Sequence, residues 1–446
     1  MAQDPKSVFA HFIVGNAASM TREEWETDIS LAKTAHIDGF ALNIAPQDSY
    51  TDDVLQVAYN AAAVMGNFTI FLSFDYLSGG PWPVDRVIQT IDRYKDSPAQ
   101  FRYQGRPLVS TFEGVNNAQD WPSIKAATGC FFVPSWTSLR PQGISGVLDV
   151  VDGMFSWDAW AEGAQSKSTE SDEAYMDVLG DKPYMMPASP WFYTNLPEWN
   201  KNWLWRGDDL WYDRWQQVIQ LQPAMVQIIT WNDYGEAHYI GPIHESGIPK
   251  DAADYVLGNP HDAWRAFLPR YIDAYKSNNA SEQSIELELT TVTDPALKPN
   301  SNFACANVGP KTAKIHKTLD TITYWYKLNP STAGDKGGTT GNNPDQGQPV
   351  LDPAEVSEDK VFMSILVEEP SDISVQIGQS PPTQLQAKAA GINHFSVPFN
   401  GQKGPVAMSV SRNGQTVVST TGPEITDKCA NGKINWNAYV GSSLDD

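Results

Sequence analysis

Positive charge is scarce in this sequence: 31 Lys and Arg stand against 53 Asp and Glu, for a net charge of −22 and a pI of about 4.6. Nucleic acid, whose phosphates must be neutralised by basic side chains, is therefore not an expected partner. Nor is an anionic membrane surface. A neutral polymer meets no such repulsion, although acidity also serves solubility alone. No apolar run reaches the 18 residues of a membrane span. Met1-Ala2-Gln3-Asp4 has no signal-peptide character, so a secreted protein would already have lost its leader; the other reading is an intracellular protein. Cys130, Cys305 and Cys429 are the three cysteines, and none sits in a CxxC pair. HExxH, GxSxG, GxGxxG and Walker patterns are missing too, which speaks against a catalytic metal, a serine nucleophile elbow and a phosphate-bearing cofactor. No metal and no cofactor are expected.

What is present is aromatic. The chain holds 16 Trp and 17 Tyr within a hydrophobic fraction of 41%, enough for a sizeable core. A Trp ring packs well on the apolar face of a sugar, but the competing explanation for any one Trp is core packing. At 446 residues the chain exceeds one ordinary barrel by about 150, so two domains are expected.

Residues 1–280 alternate short β-rich runs with amphipathic stretches. Eight strands are predicted, at 8–14, 39–44, 68–74, 107–112, 131–134, 153–157, 184–188 and 225–231. Helices are predicted at 22–35, 52–65, 83–95, 120–127, 172–179, 210–221 and 262–275. Such alternation specifies parallel βαβ units, and eight of them fit an α/β fold of the (β/α)8 TIM-barrel type. No helix is evident between the fifth and sixth strands, which keeps a doubly wound open sheet as the alternative. Residues 281–446 read as an all-β, sandwich-like domain, from alternation at 285–289, 362–367 and 373–377 and short apolar runs at 321–328 and 405–410. Within it, 329–349 is Gly-rich and nearly devoid of apolar residues, so an exposed flexible loop is expected there. Cys130 opens an apolar run and reads as a buried thiol; Cys305 and Cys429 are expected to form one disulfide, three free thiols being the alternative.

Barrel chemistry sits at the C-terminal ends of the strands. Reading those ends in order gives His11, Asn43, Asp75, Glu113, Trp136, Trp157 with Asp158, and Trp191. The eighth strand ends in Trp231-Asn232-Asp233-Tyr234-Gly235-Glu236, with His238 beyond. Carboxylates, amides and indoles on one rim suit a sugar-binding cleft, whereas any single one could equally cap a loop. Asp233 and Glu236 carry the acid–base expectation, since acetal cleavage uses two carboxyl groups. Three positions apart on a continuing strand they would face opposite sides. Gly235 between them suggests a sharp turn that brings both to one pocket. The alternative is an N-cap plus a solvent-facing carboxylate.

The runs Val8-Phe9-Ala10-His11-Phe12-Ile13-Val14-Gly15-Asn16, Asp38-Gly39-Phe40-Ala41-Leu42-Asn43-Ile44, Phe131-Phe132-Val133-Pro134-Ser135-Trp136 and Trp231 through Pro242 resemble glycoside hydrolase family 71, the fungal α-1,3-glucanases or mutanases. The resemblance covers about residues 7–275. It implies an inverting hydrolase of α-1,3-glucan on a (β/α)8 barrel with a following β-domain. It also implies Asp233 and Glu236 as the catalytic pair and leaves the roles of acid and base open between them, Asp233 being the favoured acid and Glu236 the favoured base. His11, Asn43, Asp75, Glu113, Trp136, Trp157, Asp158, Trp191, Trp231, Asn232, Tyr234 and His238 are expected to bind substrate. A secreted monomer acting on polysaccharide is expected. An α-mannoside-cleaving barrel and a non-catalytic glucan-binding protein are the alternatives.

Overall fold

The computed structural model describes residues 5–278 and 320–444. Eight parallel strands organise the first segment: β1 (Ser7–Ile13), β2 (Gly39–Ile44), β3 (Thr69–Asp75), β4 (Arg106–Phe112), β5 (Phe131–Phe132), β6 (Met154–Phe155), β7 (Tyr184–Ala188) and β8 (Met225–Ile228). They lie in the order β5-β4-β3-β2-β1-β8-β7-β6, with Arg102–Tyr103 pairing antiparallel to β4. The end strands also meet: Asp152 N donates to Phe132 O at 2.9 Å and Phe155 N to Pro134 O at 2.9 Å. The sheet therefore curls back on itself.

Strand periodicity sorts its side chains. Val8, Ala10 and Phe12 of β1, with Phe40, Leu42, Ile70, Leu72, Val226 and Ile228, join the core shared with the helices. Phe9, Ala41, Phe71, Leu108, Met185 and Met225 form a second cluster on the inner face. By the same alternation His11, Asn43, Asp75 and Gln227 belong to that inner face, nearer the strand ends. Apolar residues plug the bottom of the curl and polar ones crown it.

The helices are α1 (Arg22–Thr34), α2 (Thr51–Met65), α3 (Val84–Tyr94), α4 (Trp121–Thr128), α5 (Arg140–Ile144), α6 (Glu170–Leu179), α7 (Leu210–Leu221) and α8 (Leu268–Ser277). Helix α1 begins with a reciprocal capping box: Thr21 N donates to Glu24 Oε2 at 2.7 Å, and Glu24 N to Thr21 Oγ1 at 3.3 Å. The helix predicted over 262–275 is broken into a 3₁₀ turn at Asp262–Arg265 and α8. Pro269, at the start of α8, lacks the N–H that a continuous helix would need. Between β5 and β6, where no helix is evident in the sequence, a 3₁₀ turn at Thr137–Leu139 and the five-residue α5 form.

Two four-stranded antiparallel sheets follow. One has β9 (Thr321–Lys327), β10 (Lys360–Val367), β13 (Gly391–Pro398) and β16 (Ala438–Ser442), in the order β13-β10-β9-β16. The other has β11 (Ser371–Ile377), β12 (Thr383–Ala387), β14 (Gly404–Arg412) and β15 (Gln415–Ile425), in the order β12-β11-β14-β15. Ile322, Ile365, Ile373 and Val410 pack in one apolar cluster fed by both sheets. The first sheet and the segment leading into β16 dock on loops of the curled sheet: Trp325 Nε1 donates to Asp208 O at 2.7 Å, and Trp191 Nε1 to Trp436 O at 3.2 Å.

The flexible-loop expectation for 329–349 is corrected. Thr340–Gly341 pairs in parallel with Trp203–Leu204 of a hairpin made by Tyr193–Leu196 and Lys201–Leu204. Asn342 is buried, accepting from Gly163 N at 2.7 Å and donating to Pro349 O at 2.9 Å. Gly337, Gly338 and Gly347 take positive φ, so the glycines serve left-handed turns and not looseness. The pairing of Cys305 with Cys429, and the alternation at 285–289, lie outside the described residues. No helix among the described residues is long and apolar enough to cross a membrane.

Candidate active site

After Ile228 the chain leaves the ladder but stays tied to it. Trp231 N donates to His11 O at 2.7 Å, and Asn232 exchanges two side-chain bonds with the Ile13 backbone, at 2.8 and 3.0 Å. The Asn232 amide thus imitates one more rung between β8 and β1. Residues Tyr234–Glu236 then form a 3₁₀ turn capped by Asp233, whose Oδ1 accepts from Glu236 N at 3.2 Å. That turn, and no continuing strand, places both carboxylates on one side. The left-handed residue closing it is Ala237 (φ 54°). Gly235 has another use: a Cβ there would meet Leu196 Cδ1 at 3.1 Å and Pro249 Cγ at 3.3 Å.

One oxygen or ring nitrogen each of Asp233, Glu236 and His238 lie within 4.8 Å of one another. Glu236 is held from both sides, by Lys201 Nζ at 2.7 Å on Oε1 and by His238 Nε2 at 2.9 Å on Oε2. Each partner takes one oxygen of the carboxylate, and the ammonium disfavours a cation among the same donors. Burial would raise the Glu236 carboxyl, but Lys201 and His238 outweigh it and hold it well below the usual carboxylate range. Asp233 goes the other way: burial and then the neighbouring Glu236 charge raise it to about 6, against weaker pulls from His238 and Lys201. One turn therefore presents a protonated and an ionised carboxyl side by side at mildly acidic pH.

Around this pair the inner face contributes further polar groups. His11 is buried, with Nδ1 2.8 Å from Gln227 Nε2, while its Nε2 finds no partner among the described residues. Burial, then His238, depress it to about 3 against Glu236, so the ring is neutral. Asp75 accepts from Leu77 N and Ser78 N, both at 2.8 Å. Its carboxyl is raised, chiefly by burial, against hydrogen bonds from those amides and Asn43 and the charge of Lys201. An aromatic floor completes the site. Trp160 stacks on His238 (centroids 5.5 Å, 26°) and on Trp205 (5.2 Å, 19°), and half-buried Trp157 meets His11 edge-on at 4.8 Å.

The sequence profile of glycosyl hydrolase family 71 matches residues 4–446. The chain belongs to that family. It is 34% identical to the glucan endo-1,3-alpha-glucosidase agn1 of Schizosaccharomyces pombe, over 98% of this chain and 94% of that protein. It is 32% identical to the mutanase Pc12g07500 of Penicillium rubens, over 99% of this chain and 89% of that one. A third relative, the ascus wall endo-1,3-alpha-glucanase of S. pombe, is 30% identical over 61% of this chain and 67% of its own.

In this family 71 chain the structure gathers His11, Asn43, Asp75, Trp157, Asp233, Glu236 and His238, and separates the other expected site residues from them. Trp231 is buried behind the turn, its Nε1 donating to Asp28 Oδ2 at 2.9 Å. Trp136 packs edge-on against Phe132, and Trp191 lies under the β-sheet interface; both are core. Tyr234 is buried and bonds Pro242 O at 2.8 Å and His244 N at 3.0 Å; Asn232 is the rung described above. Glu113 is taken up by Ser138, and Asp158 by Lys167 at 2.7 Å. These placements share one cause: the strand's final residues fold inward or into loop anchors. Lys201, Trp160 and Trp205 were missed because they come from excursions after β6 and β7, where no strand end points to them.

Proposed function

We propose that this chain is an α-1,3-glucanase that hydrolyses its polymer with Asp233 as general acid and Glu236 as general base. The observation carrying this reading is the opposed ionisation of two carboxyls on one 3₁₀ turn, in a chain matched end to end by relatives with that named activity. Asp233 gives its proton to the departing glycosidic oxygen. Glu236 takes one from the water that attacks the anomeric carbon, so both fragments leave with hydroxyls. His238 and Lys201 hold Glu236 in place and ionised. The unpartnered Nε2 of buried His11 and the amide of Asn43 are assigned to sugar hydroxyls, and the half-buried Trp157 and Trp205 to ring faces.

Inversion is part of the proposal, and its support is the resemblance to family 71, since one protonated and one ionised carboxyl would serve retention as well. The nearest atoms of the pair, within 4.8 Å, are closer than the roughly 6.5–9.5 Å between carboxyl groups that usually admits a water. Stereochemistry must therefore be measured: NMR of the first-formed product should show the β-anomer, and an initial α-anomer would mean retention. We further propose that the curled sheet is a closed (β/α)8 barrel, that residues 1–280 and 281–446 are its domains, and that the second is a β-sandwich. A secreted monomer is proposed as well, in keeping with a cell-wall substrate.

The decisive experiment is reducing-end release from α-1,3-glucan beside α-1,4-glucan and α-mannan. Cleavage of the first alone is expected, and D233N and E236Q should each lower the rate by roughly 10²–10⁴. Binding without release would make the protein a glucan-binding module, and preference for α-mannan would replace the substrate.

A further inference from the structure

Of the 16 Trp, all within the described residues, Trp199 is the one that is exposed, at 58%. Trp157 and Trp205 are half-buried and the rest buried. A solvent-facing indole offers a large flat apolar face on which a sugar ring can lie. Its setting is built, not loose. Trp199 ends the 3₁₀ turn Pro197–Trp199 at the tip of the hairpin, where Pro197 fixes one φ and Asn200 closes the turn at φ 53°. Asn200 Nδ2 reaches Asp345 Oδ2 of the Gly-rich segment at 3.3 Å, and the same segment pairs with the hairpin at Trp203–Leu204. Two residues beyond the indole, Lys201 grips Glu236 at 2.7 Å. The chain's own geometry keeps the Cα atoms of Trp199 and Lys201 within about 7 Å. An exposed ring on a braced turn thus stands two residues from the ammonium that grips Glu236, on the same hairpin.

We propose that Trp199 is a stacking platform for a glucose ring of the α-glucan chain outside the position of bond breaking, so that the enzyme grips polymer. This rests on the glucanase reading and adds a subsite to it. The flat indole takes the apolar ring face, and exposed Glu198 and Asn200 flank it for hydroxyls.

The test is sedimentation of full-length D233N with insoluble α-1,3-glucan, compared with D233N/W199A, D233N/W199F and D233N/V64A. Val64 is another exposed apolar residue, at 66%, on α2. W199A should weaken binding about ten-fold, as loss of a central Trp anchor does, W199F less, and V64A not at all. Melting temperatures should match, since no core contact is lost. Equal binding by D233N and D233N/W199A would overturn the platform. So would light scattering that shows a dimer dissolved by W199A with glucan binding intact, because Trp199 would then be an interface between copies. If D233N ignores α-1,3-glucan yet binds α-mannan in a Trp199-dependent way, the platform stands and the glucan assignment falls.

Discussion

At the scale of single residues, the site turns on how three charges share a small volume. Glu236 was legible in the sequence as one of a carboxylate pair, but its ionisation was not, because Lys201 lies 35 positions upstream on a hairpin that no periodicity announced. Lys201 lowers Glu236 and, more weakly, Asp233. Activity that needs Asp233 protonated is lost as pH rises through its value of about 6; activity that needs Glu236 ionised is lost only in strong acid. Replacing Lys201 with Met removes the ammonium from both, so both limbs of the kcat/KM–pH profile should move to higher pH. K201R, which keeps the charge, should leave the limbs in place. A K201M profile that merely drops in height, with unmoved limbs, would show that Lys201 supports the hairpin and not the titration.

At the scale of elements, the strand and helix pattern was readable because apolar periodicity fixes which face is buried, and the eight strands stand where that pattern put them. The rim was less readable. Strand alternation assigns His11, Asn43 and Asp75 to the inner face, but it stops at the last ladder residue. Beyond it Trp231, Trp136 and Trp191 turned toward the core, which periodicity cannot foresee. The two classes of Trp predict different losses. W231A removes a fully buried ring bonded to Asp28 and should cost about 3–5 kcal/mol of stability. W157A removes a half-buried ring beside His11 and should raise KM or lower kcat with a much smaller change in melting temperature. Thermal melts with kinetics on the same preparations separate them; equal destabilisation by both would place Trp157 in the core as well.

At the scale of the whole molecule, the junction between the curled sheet's segment and the β-sheets buries a carboxyl group within a largely apolar contact, which composition alone could not show. Asp208 is fully buried between Arg206 Nη1, 3.0 Å from its Oδ2, and Glu358 N, which donates to the same oxygen at 3.2 Å. Burial pushes its carboxyl up to about 7, although Arg206 and Lys327 pull the other way. In the unfolded chain the same group titrates near the ordinary Asp value of about 3.9. Between those two values the folded protein binds the extra proton, so stability falls as pH rises through this window. The Asn of D208N imitates the protonated form at every pH. Its stability relative to wild type should therefore grow from about pH 4 to pH 7, reaching on the order of 2–4 kcal/mol above it. Denaturant melts of both proteins at pH 4, 5.5, 7 and 8 measure this difference directly. An offset that stays constant across the series would mean that Asp208 is ionised throughout, its charge balanced at the junction by Arg206 and the buried Lys327.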